Sequence, residues 1–238
     1  CSSDLALESM RVKLEGKNAI ENYVYDLTHE LKSPLAAIRG AAEILSEAPP
    51  PEIAARFTAN ILAQNTRMQL LVEKLLQQAR LENRLEITPQ LVSVDALFQR
   101  LAEERDIALE AKAITLRWQK SGVTVNGDSE LLAQALGNLI DNAIDFTPRG
   151  GEIALAVETC HEEAQLSVTD NGRGIPDFAL ARVFERFYSL PREDGHKSSG
   201  LGLAFVREVA RLHQGDISLR NRPEGGVVAT LQLHRPFT

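Results

Sequence analysis

Thr28-His29-Glu30-Leu31-Lys32-Ser33-Pro34-Leu35 puts a histidine and a neighbouring carboxylate in the middle of a long amphipathic segment. Around it Ile20, Val24, Leu27, Leu31, Pro34, Ile38, Ala41 and Leu45 recur in steps of four and three. That spacing is the seam of a helix packed as in a coiled coil. With Leu27 at heptad position d and Leu31 at position a, His29 falls at f and faces away from the seam. A buried core histidine is thereby excluded. An incidental surface histidine remains the plain alternative, and the rest of the chain has to separate it from a functional one.

The seam predicts a helix from about Ala19 to Ser46, with Pro34 inside it removing one backbone donor and kinking the helix one turn after His29. Ala48-Pro49-Pro50-Pro51-Glu52 is a stop and a turn. A second helix follows to about Glu82, its seam Ala54, Phe57, Ile61, Gln64, Met68, Leu71, Leu75 and Gln78. Leu62, Leu70, Val72 and Leu76 widen the apolar stripe beyond what one helical hairpin covers, so a homodimer closing a four-helix bundle is expected. Residues 1–18 are polar and helix-favouring, the end of an upstream signalling helix.

The 238 residues suffice for one large domain or two small ones. With 44% hydrophobic and 25% charged residues the chain is globular. A net charge of −7 argues against nucleic acid as a partner. Cys1 and Cys160 are too few for a disulfide framework or a zinc site and suit a reducing cytosol. No stretch approaches the roughly 18 apolar residues of a membrane span. Since the chain does not begin with Met, a membrane link is expected only through an upstream segment.

Beyond a polar linker at 83–89 the pattern becomes mixed. Helix is expected over Val94–Lys112, strand over Ile114–Gln119 and Val123–Asn126, and helix from the N-cap Asp128 to near Phe146. Glu152–Thr159 and Ala164–Thr169 alternate as paired strands. Phe178–Tyr188 and Leu201–Gln214 read as helices, and Asp216–Arg220 and Val227–Leu233 as strands joined by a turn at Gly225-Gly226. The fold class is α+β, a helical hairpin followed by helices on a sheet.

Three short stretches in this second part carry chemistry. Asp170-Asn171-Gly172-Arg173-Gly174-Ile175 follows a strand, where a carboxylate can accept from an exocyclic amine and glycines admit a flat ring or a phosphate. Ser198-Ser199-Gly200-Leu201-Gly202-Leu203 opens a helix, leaving N–H groups and a positive dipole end for an anion. Asn138-Leu139-Ile140-Asp141-Asn142-Ala143 puts two amides one turn apart on one helix face. An amide oxygen suits a Mg²⁺ held mainly by phosphates and water. Phe184-Glu185-Arg186-Phe187-Tyr188 adds an aromatic cluster before a polar stretch.

Together these stretches resemble the sensor histidine kinases of two-component systems. His29–Leu35 is similar to the H box, Asn138–Ala143 to the N box, Asp170–Ile175 to the first glycine box, Phe184–Tyr188 to the F box and Gly200–Leu203 to the second glycine box. Within the family the likeness is to the carbon-source-responsive kinases. The resemblance implies a dimerisation and histidine-phosphotransfer domain over 19–86 and a catalytic ATP-binding domain of the GHKL (Bergerat) α/β-sandwich type over 91–238. It implies ATP and Mg²⁺, and phosphoryl transfer to His29 and onward to a response-regulator aspartate. The fragment would be cytoplasmic, its parent anchored in the bacterial inner membrane.

By the same resemblance Glu30 is the proton acceptor beside His29, and Ser33 stands where a phosphatase motif ends. Asn142 is the Mg²⁺ ligand and Asn138 supports the phosphates. Asp170 reads the adenine amine beside Phe146. Gly172, Gly174, Ile175, Tyr188, Lys197, Gly200, Leu201, Gly202 and Leu203 complete the nucleotide site. Asp145 and Ser189 replace the family's usual Lys and Arg, with Arg192 or Lys197 as possible substitutes. Two alternatives follow: a weakly ATP-binding member acting mainly as a response-regulator phosphatase or scaffold, and an ATPase clamp that makes no histidine transfer.

Overall fold

A computed structural model describes residues 25, 27–28, 30–82, 87–190 and 199–234. The expectations for 1–18, His29, the linker at 83–86, Arg192, Lys197 and Ser198 lie outside them. The chain divides between Leu76 and Gln77 into two compact units.

In the first unit a helix (α1, 30–46) runs on through Pro34, which is buried. It ends with Glu47 and Ala48 donating to Ile44 O and Leu45 O, and Ala48 turns into the left-handed region at φ 51°. Three prolines then prevent the helix from resuming until Pro51, a favoured first helical residue. The second helix is α2 (Pro51–Glu82). Pro34, Ala41 and Leu71 are buried and the other described seam residues of this unit half-buried, as the heptad reading requires; Gln78, beyond the division, is buried as well. Arg67 on α2 lies 3.5 Å from the Glu30 carboxylate. The two residues are equally far along the chain from the 47–50 turn, so α1 and α2 form an antiparallel hairpin.

In the second unit β1 (Gln90–Ser93) pairs antiparallel with β3 (Thr124–Gly127). A five-stranded sheet runs in the order β2 (Thr115–Trp118), β4 (Glu152–Cys160), β5 (Glu163–Asp170), β7 (Val227–His234), β6 (Asp216–Asn221). Only the β2–β4 pair is parallel. Along β5 alternate residues Ala164, Leu166, Val168 and Asp170 are buried. The first three share one core with Leu132, Leu136, Leu139, Ile140 and Ala143 of α5 (Ser129–Phe146) and with Phe205, Val206 and Val209 of α7 (Gly202–Leu212). The two-residue period of the strand thus carries Asp170 onto the face that the helices cover.

Two expected helices differ from the sequence reading. The stretch 94–112 is two helices, α3 (Val94–Glu103) and α4 (Asp106–Lys112). Neither Gly nor Pro causes the break. Arg105 leaves helical geometry at φ −113°, ψ 5°, and its guanidinium binds Asp141 on α5 (2.8 and 3.3 Å) and Leu101 O (3.2 Å). Gly137 makes room for it, since a side-chain carbon there would press on Arg105 Nη2. The second difference is at 178–188, where only α6 (Asp177–Leu180) is helical. Beyond it Phe187 sits at φ 60° and donates to Gly200 O (2.9 Å), so a tertiary bond ends the helix. Strand β1, Gln90–Ser93, was not foreseen.

Candidate functional site

The site is built around α5. Asp128 caps its start, its carboxylate accepting from Leu131 N–H at 3.1 Å. Leu139, Ile140, Ala143 and Ile144 are buried, while Asn138 and Asn142 emerge half-buried along one edge. Gly202, the first residue of α7, lies against Asn138: a Cβ there would be 3.5 Å from Asn138 Oδ1. α7 starts without a side-chain cap, so its first N–H groups and positive end remain for another acceptor. The F-box backbone is strapped to the same place, because Gly200, at φ 65°, packs directly on the Phe187–Tyr188 peptide.

At the other end of α5, Gly172 abuts the carbonyl of Phe146, and a Cβ at 172 would collide with it. Asp170 is buried, and its Oδ1 accepts from Gly172 N–H (2.8 Å) and Val227 N–H (3.2 Å). Burial pushes the Asp170 carboxyl above the usual aspartate range, although both N–H groups and the Arg222 charge oppose the shift. The described bonds all fall on Oδ1. Arg173 stands over the Phe146 ring at 5.0 Å and Arg182 over Tyr188 at 4.5 Å.

The two asparagines, Phe146, both glycine boxes and the F box are therefore brought together. Gly174 (φ 76°) and Ile175 continue the first glycine loop, and Leu203 is half-buried on α7. Leu201 is almost fully buried, so it offers backbone rather than side chain. In the first unit Ser33 is exposed and Glu30 half-buried.

Sequence reasoning missed the supports. Lys112, the last residue of α4, donates to Ile144 O (2.7 Å), Asp145 O (2.9 Å) and Thr147 O (3.4 Å), filling the carbonyls at the end of α5. His213, read as surface or structural, is buried and ties the end of α7 to the start of α5. Asp128 N–H donates to its Nε2 (2.9 Å), and Nδ1 lies 2.8 Å from Val209 O. That pairing requires the neutral ring with its proton on Nδ1. Arg222 and Asn221, on the β6–β7 hairpin, hold the first glycine loop: Arg222 Nη1 donates to Asp170 O at 3.0 Å. The one advance signal was a glycine opposite two of these supports, Gly127 against His213 and Gly174 against Asn221.

Residues 19–84 match the family described as the His Kinase A (phospho-acceptor) domain. Residues 127–236 match the histidine kinase-, DNA gyrase B- and HSP90-like ATPases. The chain is 66% identical over 233 residues to the sensor protein CreC of Escherichia coli K12, covering 98% of this chain and 49% of that one. Among solved structures, histidine kinase ThkA in complex with response regulator protein TrrA superposes with TM-score 0.78 at 21% identity, over 96% of this chain and 66% of that chain. Full-length ShkA in complex with AMPPNP gives TM-score 0.66 at 26% identity, over 91% and 47%. The chain spans about half the length of the curated relatives it matches. A phospho-acceptor hairpin followed in one chain by an ATPase sheet whose glycine and asparagine boxes converge on α5 makes this chain a member of the sensor histidine kinases.

Proposed function

We propose that this chain binds ATP with Mg²⁺, transfers the γ-phosphoryl group to His29 and passes it to an aspartate of a response-regulator receiver domain. The observation that carries the reading is the convergence of the N box, both glycine boxes and the F box on α5. The nucleotide fits the groups present. Asp170 Oδ2 accepts from the adenine amine, and the glycine loops let backbone approach the ligand. The uncapped start of α7 beside Asn138 faces the phosphates.

Among the described residues no group of three or more His, Cys, Asp or Glu gathers to hold a metal ion. Asn142 would hold a Mg²⁺ through its amide oxygen together with the phosphates, and the ion would neutralise their charge. Tyr188, Leu201, Leu203 and Lys197 belong to the same nucleotide site.

The acceptor side has its own support. The described helical neighbours of His29 one turn away, Tyr25, Lys32 and Ser33, are all exposed. In the heptad register of the sequence His29 falls at position f, the face a donor would reach from solvent. Glu30 takes the proton from one ring nitrogen as the other attacks the γ-phosphorus and the bond to the bridging oxygen breaks, releasing ADP. Arg67 holds that carboxylate from α2.

Leu62, Leu70, Val72 and Leu76 stand 46–62% exposed along α2. Burying them in a homodimeric four-helix bundle accounts for that stripe. The functional division is 19–86 for dimerisation and phosphotransfer and 91–238 for catalysis. Among the described residues no helix is long and apolar enough to cross a membrane. Any membrane anchoring of the whole protein, and its cytoplasmic orientation, belong to the length this chain does not span. The weak-binding alternative rests on Asp145 and Ser189 alone and is not favoured.

The test is labelling with γ-labelled ATP and Mg²⁺, native protein against His29→Ala. Acid-labile, base-stable label that vanishes in the variant is expected. Label persisting in His29→Ala would remove His29 as acceptor, and no label on the native protein would remove the kinase reading.

A further inference from the structure

Asn221 is the last residue of β6, one of the two edge strands of the five-stranded sheet. Its backbone pairs with Val227 across the hairpin. Its side chain turns the other way, to a residue 46 positions earlier. Oδ1 accepts from Ile175 N–H at 2.8 Å, and Nδ2 donates to Ile175 O at 2.7 Å. One carboxamide thus binds both polar groups of one residue, as a neighbouring strand would.

The residue so held follows Gly174, which lies at φ 76° with Asn221 Oδ1 where a side chain would begin (3.1 Å from an ideal Cβ). A glycine at positive φ gives the loop its shape and also leaves it the most freedom to lose that shape. The front of the loop is held elsewhere, through Asp170, by Arg222, Val227 and Gly172. The described bonds to Ile175 come from Asn221.

We propose that Asn221 is a positioning residue for nucleotide binding: its carboxamide clamps the Gly174–Ile175 backbone so that the first glycine loop is already shaped before an adenine nucleotide arrives. The clamp rests on the nucleotide reading above. Its effect is pre-organisation, a cost removed from binding rather than a contact added. Because Asn221 is exposed, water replaces part of what the clamp supplies, and the effect is moderate.

The experiment is calorimetric titration of the whole chain with Mg²⁺-ADP for the native protein, Asn221→Ala and Asn221→Asp, with KM for ATP and kcat for His29 labelling measured alongside. Asn221→Ala should raise Kd and KM roughly tenfold, which is about 1.4 kcal/mol. The kcat at saturating ATP and the melting temperature of the nucleotide-free protein should stay near native. Asn221→Asp keeps the acceptor for Ile175 N–H but sets a carboxylate against Ile175 O. It should bind between the other two and decides the matter should the alanine variant fail to fold. An unchanged Kd in either variant overturns the proposal. So does a fall in kcat with Kd and KM unchanged, the mark of a merely structural residue. A native protein that does not bind ADP overturns the nucleotide reading itself.

Discussion

Replacing Lys112 by Met keeps the length of the side chain and removes its charge. In the native protein Nζ reaches Ile144 O, Asp145 O and Thr147 O, at 2.7, 2.9 and 3.4 Å. These carbonyls belong to the end of α5, where the helix itself supplies no donors and its last turn contains no basic residue. A hydrogen bond to a charged group contributes about 1.5–3 kcal/mol net. A cation at a helix C-terminus adds roughly 0.3–1 kcal/mol. Lys112 is half-buried, so water recovers part of both. The expected loss is about 2 kcal/mol, or roughly 4–8 °C in melting temperature at about 2–4 °C per kcal/mol. The probe is intrinsic: Trp118 is the one tryptophan of the chain and packs against the core of the second unit. Its fluorescence in a thermal melt reports that unit alone. Phe146 and the Gly172 contact ride on the same end of α5, so Mg²⁺-ADP affinity should fall as well. A melting temperature within about 1 °C of native would refute the reasoning, since the bonds would then be no better than those to water.

Asp170→Asn should weaken nucleotide binding strongly while leaving the nucleotide-free protein as stable as native or more so at neutral pH. The folded pKa is raised above the unfolded value, so the wild-type carboxylate costs stability as pH rises through that raised pKa, and the difference between the two proteins should disappear in melts below pH 3.8. For the same reason native ADP affinity should drop on acidification at a higher pH than an ordinary aspartate would give, which a pH series of titrations reads. Thr147→Val should stabilise by about 1 kcal/mol, because Thr147 is buried and its Oγ1 has no hydrogen-bond partner among the described residues; a lower melting temperature would show that the hydroxyl is satisfied. Leu62→Glu with Leu76→Glu should convert a dimer to monomer in sedimentation, each leucine contributing roughly 2 kcal/mol when buried, and an unchanged sedimentation coefficient would remove α2 from the interface.

What could be read in the sequence is what periodicity and residue type enforce. The heptad steps placed Pro34, Ala41 and Leu71 on the seam of the hairpin, and all three are buried. Alternation placed β4 and β5 as partners, and the N-cap at Asp128 set the start of α5. Asn138, Asn142, Asp170 and the glycines were singled out by residue type, and the fold sets Gly202 beside Asn138 and Gly172 beside Phe146. Strand β1 has four residues, too short for a period to show. The break at Glu104–Arg105 carries no Gly or Pro, and only the pairing of Arg105 with Asp141, 36 residues away, produces it. Phe178–Tyr188 has an apolar pattern compatible with a helix, but the Phe187–Gly200 bond overrides it.

The break in 94–112 also bears on the departure at Asp145. Helix α5 carries the N box but ends with two acids, Asp141 and Asp145, and no base in its last turn, against its own dipole. Both ends of α4 answer that imbalance. Arg105, its N-cap, pairs with Asp141, and Lys112, its last residue, binds the carbonyls of Ile144 and Asp145. A continuous helix from 94 to 112 would not release Arg105 toward α5. The break is therefore what lets α4 brace α5 at two points. With the end of α5 stabilised from outside, position 145 need not carry a cation to keep the helix together, and the usual lysine can be lost there without loss of fold. On the proposed nucleotide reading the consequence of that loss would fall on the phosphates rather than on α5, which separates a stability role from a binding role at a single position.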